Sequence, residues 1–185
     1  MEIHEANTQF GLPAYDAFSE DVRQQFTDSC AIQSQNIVMN AAGIHTTESE
    51  LLDEAVANGW YTPGCGTPRE DVGKLMEAHG MEVQQQLHGS VYNLVSELSK
   101  GHPVIVGVDS GELWNPGIDE TFEDIIRGPR ADHALIVGGI TFDDGFDSGT
   151  VNLIDPGTGD FAIGYDLDQF TDAWNDSDNF MVTII

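Results

Sequence analysis

The chain has 185 residues, of which 40% are hydrophobic, so it is long enough to fold as one domain with a sizeable core. Six Lys and Arg residues stand against 32 Asp and Glu residues, for a formal net charge of −26, which argues against nucleic-acid binding because that requires a basic surface. No apolar run approaches the roughly 20 residues of a transmembrane helix, and the N-terminus lacks the basic and apolar regions of a secretory signal. We expect a single domain over residues 1–185, without a membrane span, that is cytoplasmic or exported without a recognisable signal peptide.

The acidic residues are scattered along the chain rather than gathered into a tail. They are compatible with general solubility, with adaptation to high salt, or with attraction of a basic substrate or partner. The two cysteines, Cys30 and Cys65, form no CxxC motif, and the histidines are not closely paired, so neither a disulfide scaffold nor a zinc site is indicated. The acidic loops FDDGFDSG and DSGELWNPGIDE do not match the EF-hand pattern. We expect no metal and no cofactor.

The first 22 residues show no clear periodicity and are predicted to be an irregular lead-in. A helix is then predicted to begin beside Cys30, because the apolar residues that follow have the spacing of a helix packed on one side. Asp28 and Ser29 are both suitable N-caps for this helix, and Gly43 is well placed to end it. Cys30 therefore falls in the first turn of the predicted helix.

Capping boxes mark two further helix starts. Residues 47–50, Thr-Glu-Ser-Glu, precede an apolar face that stops at Gly59. Residues 67–70, Thr-Pro-Arg-Glu, place Pro at the first helical position and lead to a stop at Gly80. A fourth helix is predicted over Val91–Leu98.

The pattern changes in the second half of the chain. Residues 103–108 and 134–137 are short apolar runs typical of buried strands, and TVNLIDP is predicted to return antiparallel to the second of them. A strand at 161–165, a helix at 168–174 and a final strand, FMVTII, complete the prediction. Helices that come first and antiparallel strands that come later indicate the α+β class rather than a parallel βαβ design.

Cys30 is a candidate nucleophile. Thiol catalysis requires a thiolate, a base and donors for a tetrahedral oxyanion, and a helix N-terminus stabilises a thiolate. Most lone cysteines are small buried hydrophobes, so partners elsewhere in the chain must support this hypothesis. Cys65, in the Gly/Pro-rich stretch PGCGTP, has no organised partner visible in the sequence.

His133 and Asp155 are the candidate partners. His133 differs from the other five histidines because it begins a strongly apolar strand. If residues 134–140 and 150–154 form a hairpin, the start of the first strand lies beside the end of the second. Asp155 can then orient the imidazole of His133 and fix its tautomer, although Asp-Pro-Gly by itself is also an ordinary turn.

Gln24 is a candidate oxyanion donor, because a side-chain amide six residues before Cys30 can fold back beside the backbone N–H of the nucleophile. The neighbouring Gln25 is the alternative. Trp114, in the long excursion before His133, is a candidate for lining a cleft.

These segments resemble a papain-like cysteine peptidase, and more narrowly the stand-alone bacterial relatives of the double-glycine leader peptidases that process bacteriocins. The resemblance is carried by Gln-x5-Cys at a helix start, by GTPREDVGKLMEAHGMEV, by ADHALIVGGI and by LIDPGTGD. It runs from about residue 20 to the C-terminus, and thus covers nearly the whole chain. It implies a papain-like α+β fold with N-terminal helices packed on a C-terminal antiparallel sheet.

The resemblance also implies roles for the site residues. Cys30 is then the nucleophile, His133 the general base and acid, Asp155 the orienting residue and Gln24 the oxyanion donor. Proteins of this kind often have Asp-Cys-Gly at the nucleophile, whereas this chain has Ser-Cys-Ala over residues 29–31.

We expect a cysteine peptidase-like hydrolase that cleaves a peptide or isopeptide bond through a thioester. A basic peptide is compatible with the acidic surface but not required by it. Alternatives on the same residues are a deamidase or acyltransferase, or a catalytically silent domain that binds a peptide or protein in the cleft.

Overall fold

Helices occupy the first half of the chain and strands dominate the second half. The computed structural model describes residues 8–11, 22–114, 131–143 and 148–185. Its helices are α1 (Cys30–Ala41), α2 (Glu48–Asn58), α3 (Lys74–Ala78), α4 (Val91–Ser99), α5 (Ser110–Trp114) and α6 (Leu167–Asn175). Its strands are β1 (Thr8–Gly11), β2 (Val83–Gln86), β3 (Val104–Val108), β4 (His133–Phe142), β5 (Gly149–Asp155), β6 (Asp160–Asp166) and β7 (Met181–Ile184).

The described strands form an antiparallel sheet in the order β2-β7-β3-β4-β5-β6, which β1 joins by pairing with β4. The predicted hairpin is the β4–β5 pair, in which Ile136 lies opposite Ile154. β4 is long enough to pair with β3 through its first half and with β5 and β1 through its second half. Because helices pack on an antiparallel sheet, the α+β prediction is confirmed.

β1 corrects the prediction of an irregular lead-in over residues 1–22. Thr8–Gly11 is a strand that pairs antiparallel with the end of β4. Phe10 packs edge-on against Phe142, with ring centroids 6.2 Å apart. Four residues are too few for a periodicity to stand out in the sequence, so tertiary pairing decides their conformation. Apart from these four residues and Val22, the predicted lead-in lies outside the described residues.

α1 is the central helix, and its residues 31–39 are all buried. It therefore packs on more than the one side that its apolar pattern predicted. Buried polar side chains need hydrogen-bond partners, and those of α1 have them. Ser34 donates to the carbonyl of Ala134 in β4 at 3.2 Å, and Gln35 donates to the carbonyl of Ala31 at 3.0 Å.

The capping box predicted at residues 47–50 is confirmed. The Glu50 carboxylate accepts from the Thr47 N–H at 3.0 Å, and the Thr47 hydroxyl accepts from the Glu50 N–H at 3.3 Å. α2 ends at Gly59, which is left-handed at φ 75°. In the parts of the chain that the structure describes, no helix has the length and apolarity that a membrane crossing requires.

The capping box predicted at residues 67–70 does not form. Pro68 precedes a short 3-10 turn over Arg69–Asp71, and α3 begins only after Gly73. Gly73 has φ 111° and donates its N–H to Oε1 of Gln35 at 2.9 Å. A Cβ at this position would lie 2.9 Å from Cγ1 of Val83. The chain turns here because α1 binds its backbone and β2 leaves no room for a side chain.

Candidate active site

A cleft of about 920 Å³ opens where the N-terminus of α1 faces the start of β4. Cys30, His133 and Gln24 line this cleft, and the loop over residues 64–67 forms part of its wall. Asp155 lies behind His133 and has no exposed surface. The structure thus places all four predicted site residues in or directly behind one cleft.

Cys30 is the first residue of α1, and its side chain is half-buried. Ser29 occupies the N-cap position, but its side chain makes no capping hydrogen bond. The first N–H groups of a helix have no acceptor within the helix, and the partial positive charge at this end stabilises an anion. The position therefore suits a thiolate, with the backbone N–H of Cys30 directed out of the helix.

His133 opens β4 and Asp155 closes β5, so the hairpin brings them together at one edge of the sheet. Nε2 of His133 donates to Oδ1 of Asp155 at 2.6 Å, and the two side chains are 7% and 0% exposed. Because Nε2 is engaged, Nδ1 is the ring nitrogen left for the adjacent Cys30. An acceptor on one ring nitrogen fixes the tautomer and orientation of the imidazole.

The pKa of His133 is raised from 6.5 to about 10. Burial by itself would lower this pKa, but the hydrogen bond to Asp155 and the adjacent Cys30 side chain outweigh the effect of burial. Burial would likewise raise the pKa of Asp155, yet the hydrogen bond and charge of His133 hold it below 3.8. Both shifts favour an imidazolium on His133 that is paired with a carboxylate on Asp155.

Asp155 also accepts hydrogen bonds from the backbone N–H of Gly157 at 2.8 Å and from Nε1 of Trp114 at 3.0 Å. The indole of Trp114 lies against the imidazole of His133, with ring centroids 5.1 Å apart. A Cβ at residue 157 would lie 2.9 Å from Cε1 of His133 and 3.2 Å from the indole. The Asp-Pro-Gly turn and Trp114, a candidate for lining a cleft, therefore hold the imidazole in place.

Gln24 lies on the cleft wall, where its backbone N–H donates to the carbonyl of Pro156 at 2.8 Å. Its Nε2 donates to the carbonyl of Phe26 at 2.6 Å, and this acceptor fixes which end of the amide is nitrogen. Nε2 carries a second hydrogen, and the buried Oε1 has no hydrogen-bond partner in the described part of the chain. Gln25, the alternative donor, is exposed, and its backbone N–H donates to Glu48.

Asp28 joins the segment before Cys30 to the opposite wall of the cleft, a contact that the sequence analysis missed by treating Asp28 as a helix cap. Its carboxylate accepts from the hydroxyl of Tyr61 and from the N–H of Gly64, each at 2.5 Å. The hydrogen bond from Tyr61 lowers the pKa of Asp28. Burial, and then this same hydrogen bond, raise the pKa of Tyr61 to about 12.

The sequence analysis did not identify Glu48 and Ser34 as side chains that support the site, and both are fully buried. Glu48 accepts from Ser29 Oγ at 2.5 Å and from the N–H of Gln25 at 2.8 Å. The sequence contained one indication of this role for Glu48. Thr47 and Glu50 form the capping box of α2 by themselves, so the carboxylate of Glu48 is not required to cap the helix.

Cys65 lies exposed on the wall of the same cleft, and both cysteines are free thiols. It sits in a tight loop that an isolated bridge between Thr62 and Gly66 closes. Within the described ranges, no group of His, Cys, Asp and Glu side chains has the arrangement of a metal site.

A model of the Peptidase_C39 like family matches residues 18–180 of the chain. The uncharacterized protein Rv1268c of Mycobacterium tuberculosis (strain ATCC 25618 / H37Rv) is 27% identical over 206 residues, which cover 95% of this chain and 84% of the relative. The uncharacterized protein Mb1299c of Mycobacterium bovis matches to the same extent.

Solved structures share the fold. A protein from Bacillus anthracis described as C39-like superposes with a TM-score of 0.65 at 14% identity, covering 91% of this chain and 96% of that chain. The peptidase domain of Streptococcus ComA, a bifunctional ABC transporter, gives a TM-score of 0.59 at 16% identity, covering 89% and 94%. A double glycine motif protease from an AMS/PCAT transporter, in complex with its leader peptide, gives 0.55 at 14% identity, covering 97% and 99%. These similarities confirm the predicted papain-like architecture.

Proposed function

Because the chain belongs to the Peptidase_C39 like family, we propose that it is a cysteine hydrolase that cleaves a peptide or isopeptide bond through a thioester at Cys30. The observation that carries this proposal is the position of Cys30 at the N-terminus of a buried helix, beside the buried pair of His133 and Asp155. A thiolate, a base and oxyanion donors are the groups that thiol hydrolysis requires. In this mechanism Gln24 supplies one of the donors.

In the first step, the thiolate of Cys30 attacks the carbonyl carbon of the scissile bond and a C–S bond forms. The carbonyl oxygen becomes an oxyanion, which accepts hydrogen bonds from the backbone N–H of Cys30 and from Nε2 of Gln24. His133 donates its Nδ1 proton to the leaving nitrogen, the C–N bond breaks and the amine departs. The acyl group remains on Cys30 as a thioester, and His133 is left neutral.

In the second step, neutral His133 takes a proton from water as the water oxygen attacks the thioester carbon. The C–S bond breaks, the carboxylic acid leaves, and the thiolate and imidazolium are restored. Asp155 stays ionised throughout and holds the ring through Nε2. Its further hydrogen bonds from Gly157 and Trp114 keep the carboxylate fixed while the charge on the imidazole changes.

The cleft offers aromatic surface to the substrate. Phe26 and Trp114 both line it and are 39% and 37% exposed, and aromatic faces in a concave site bind apolar side chains well. Charged side chains of both signs line the same cleft, among them Arg23, Arg69 and Asp132. Attraction of a basic peptide would therefore come from the long-range field of the acidic surface rather than from the cleft alone.

Two alternatives use the same fold. A catalytically silent binding domain would be favoured by a Cys30 sealed among apolar side chains, but Cys30 is half-buried and lines the cleft. A deamidase or an acyltransferase would form the same thioester, the first from a glutamine side chain and the second with an amine as acceptor. The two reactions differ from peptide hydrolysis in the carbonyl that is attacked or in the group that accepts the acyl chain, but they use the same catalytic groups. A separate assay must therefore show that a peptide bond is cleaved.

The first test is the pH dependence of iodoacetamide labelling at each cysteine, measured by mass spectrometry in the wild type and in His133→Ala. We expect rapid labelling of Cys30 in mildly acidic solution, slowed by the substitution, because His133 stabilises the thiolate. Labelling of Cys30 that is no faster than that of Cys65 and is insensitive to His133 would overturn the proposal.

The second test is cleavage of a mixed peptide library, with Cys30→Ala as the control. New peptide termini that form with the wild type and not with the control are expected. Conversion of glutamine to glutamate without new termini would instead identify a deamidase.

A further inference from the structure

Glu48 is a buried carboxylate that the proposed reaction does not use. It is the first residue of α2 and is only 1% exposed. A buried carboxylate is costly unless it is hydrogen-bonded, and both donors to Glu48 come from the segment that precedes the nucleophile. Ser29 Oγ donates to Oε1 at 2.5 Å, and the N–H of Gln25 donates to Oε2 at 2.8 Å.

The carboxylate of Glu48 is not needed to cap its own helix. Thr47 and Glu50 already form a complete capping box at the start of α2. The side chain of Glu48 therefore serves the neighbouring segment over residues 24–29, which we call the oxyanion loop because it carries Gln24.

Within the oxyanion loop, the carbonyl of Phe26 is the point at which two contacts meet. Gln24 Nε2 lies 2.6 Å from this oxygen, and Ser29 Oγ lies 2.9 Å from it. Ser29 has one hydroxyl hydrogen, and its shorter contact is with the carboxylate of Glu48. Glu48 thus holds Ser29 at one end of the loop and Gln25 near the other, with the Phe26 carbonyl that orients Gln24 between them.

The other side of the oxyanion loop is held by the β4–β5 hairpin, which carries His133 and Asp155. The N–H of Gln24 donates to the carbonyl of Pro156, the residue after Asp155. Hydrogen bonds therefore hold the oxyanion loop on two sides, from the end of β5 and from α2. Glu48 makes those on the α2 side.

We infer that Glu48 is a positioning residue for the oxyanion site, which keeps the amide of Gln24 directed at the point that the backbone N–H of Cys30 also faces. The inference rests on the proposed function, because an oxyanion forms only if Cys30 attacks a carbonyl. Oxyanion donors act through fixed geometry, and a misplacement of about 1 Å can cost as much as ~100-fold in rate.

The test compares two reactions of Cys30 that differ in their need for oxyanion donors. Iodoacetamide alkylates a thiolate by displacement at a saturated carbon, whereas 4-nitrophenyl acetate acylates it through a tetrahedral oxyanion. The ester has a good leaving group and needs no selective binding. Release of 4-nitrophenolate is followed in each variant, and the rate of Cys30→Ala is subtracted.

Glu48→Gln keeps the shape of the side chain but replaces one acceptor oxygen with a donor. We expect it to slow ester acylation about tenfold and to leave iodoacetamide alkylation within about twofold of the wild type. Gln24→Ala should give the same pattern, and the double variant should be no slower than Gln24→Ala, because both substitutions act on one donor. Glu50→Gln, which removes a carboxylate from the capping box of the same helix, is the matched control and should change neither rate.

The inference is wrong if Glu48→Gln leaves ester acylation unchanged, or if it slows both reactions by the same factor. If Glu48→Gln does not fold, Ser29→Ala removes one of the two hydrogen bonds and must give the same selective loss. Failure of the proposed function is seen separately, because His133→Ala would then leave alkylation of Cys30 unchanged in a chain with Glu48 intact.

Discussion

The hydroxyl of Ser34 donates to the carbonyl of Ala134 at 3.2 Å, and this contact joins the helix that begins at Cys30 to the strand that begins at His133. Ser34 lies one turn after Cys30, and Ala134 directly follows His133. Both residues are buried. A direct hydrogen bond therefore joins the elements that carry Cys30 and His133.

Ser34→Ala should reduce both stability and thiol reactivity. Loss of the hydroxyl leaves the buried Ala134 carbonyl without this donor, which lowers the free energy of unfolding by about 1 kcal/mol. Because α1 is then less firmly held on β4, alkylation of Cys30 should slow as well. Urea unfolding and iodoacetamide labelling measure the two effects. Ser49→Ala, at an exposed position in α2, is the control, and an equal loss in both variants would contradict the prediction.

The pair of His133 and Asp155 should shape the dependence of stability on pH. The raised pKa of His133 contributes stability that is complete below 6.5 and is lost as the pH rises through about 10. The lowered pKa of Asp155 contributes stability that is present above 3.8 and is lost as the pH falls through its folded-state value. The wild type should thus lose stability at both ends of the pH range.

Asp155→Asn should remove most of this dependence and lower the free energy of unfolding at neutral pH by about 3 kcal/mol, because it leaves a buried imidazole without its charged partner. Urea midpoints across the pH range measure the effect. Asp53→Asn, on the exposed face of α2, should keep the wild-type profile. A profile for Asp155→Asn that runs parallel to that of the wild type would show that the pair does not titrate as described.

Trp114→Phe separates the hydrogen bond of the indole from its ring packing. Phenylalanine keeps an aromatic ring near His133 but cannot donate to Asp155, so hydrolysis should slow about tenfold, equivalent to roughly 1.4 kcal/mol. Initial rates on a peptide that the wild type cleaves provide the measurement. Trp60→Phe is the matched control, since Trp60 packs against the core away from the cleft. Equal rates for wild type and Trp114→Phe would exclude a role for the indole N–H.

Tyr61→Phe should remove a phenol that ionises only in strongly alkaline solution. The pKa of Tyr61 is raised to about 12 by burial and by its hydrogen bond to Asp28, so the difference in phenolate absorbance between wild type and variant should appear only in that range. Tyr92→Phe removes a phenol that is 78% exposed and tests whether a single tyrosine is resolved. A Tyr61 difference that develops well below this range would contradict the hydrogen bond.

The sequence predicts the hairpin that joins His133 to Asp155 well because its geometry is local. His133 and Asp155 stand at the two open ends of antiparallel neighbours, and an antiparallel pair must bring such ends together. The helix start at Cys30 is equally local, since caps and apolar spacing lie within a few residues. These are the features for which neighbouring residues determine the structure.

The supporting contacts could not be predicted in this way. Ser29 meets Glu48 across 19 positions, and Trp114 meets Asp155 across 41. No periodicity links such residues, because the contacts depend on how separate elements pack. The failed capping box at residues 67–70 has the same origin, since the contacts of Gly73 with α1 and β2 override a local pattern.

The 100 positions between Ser34 and Ala134 also bear on how the chain is made. A ribosome releases the N-terminal half first, so Cys30 is synthesised long before the residues that would activate it. Until α1 packs against β4, the thiol of Cys30 has no imidazole beside it. On the proposed function, a chain assembled in this order gains its hydrolytic activity only after α1 and β4 have packed together.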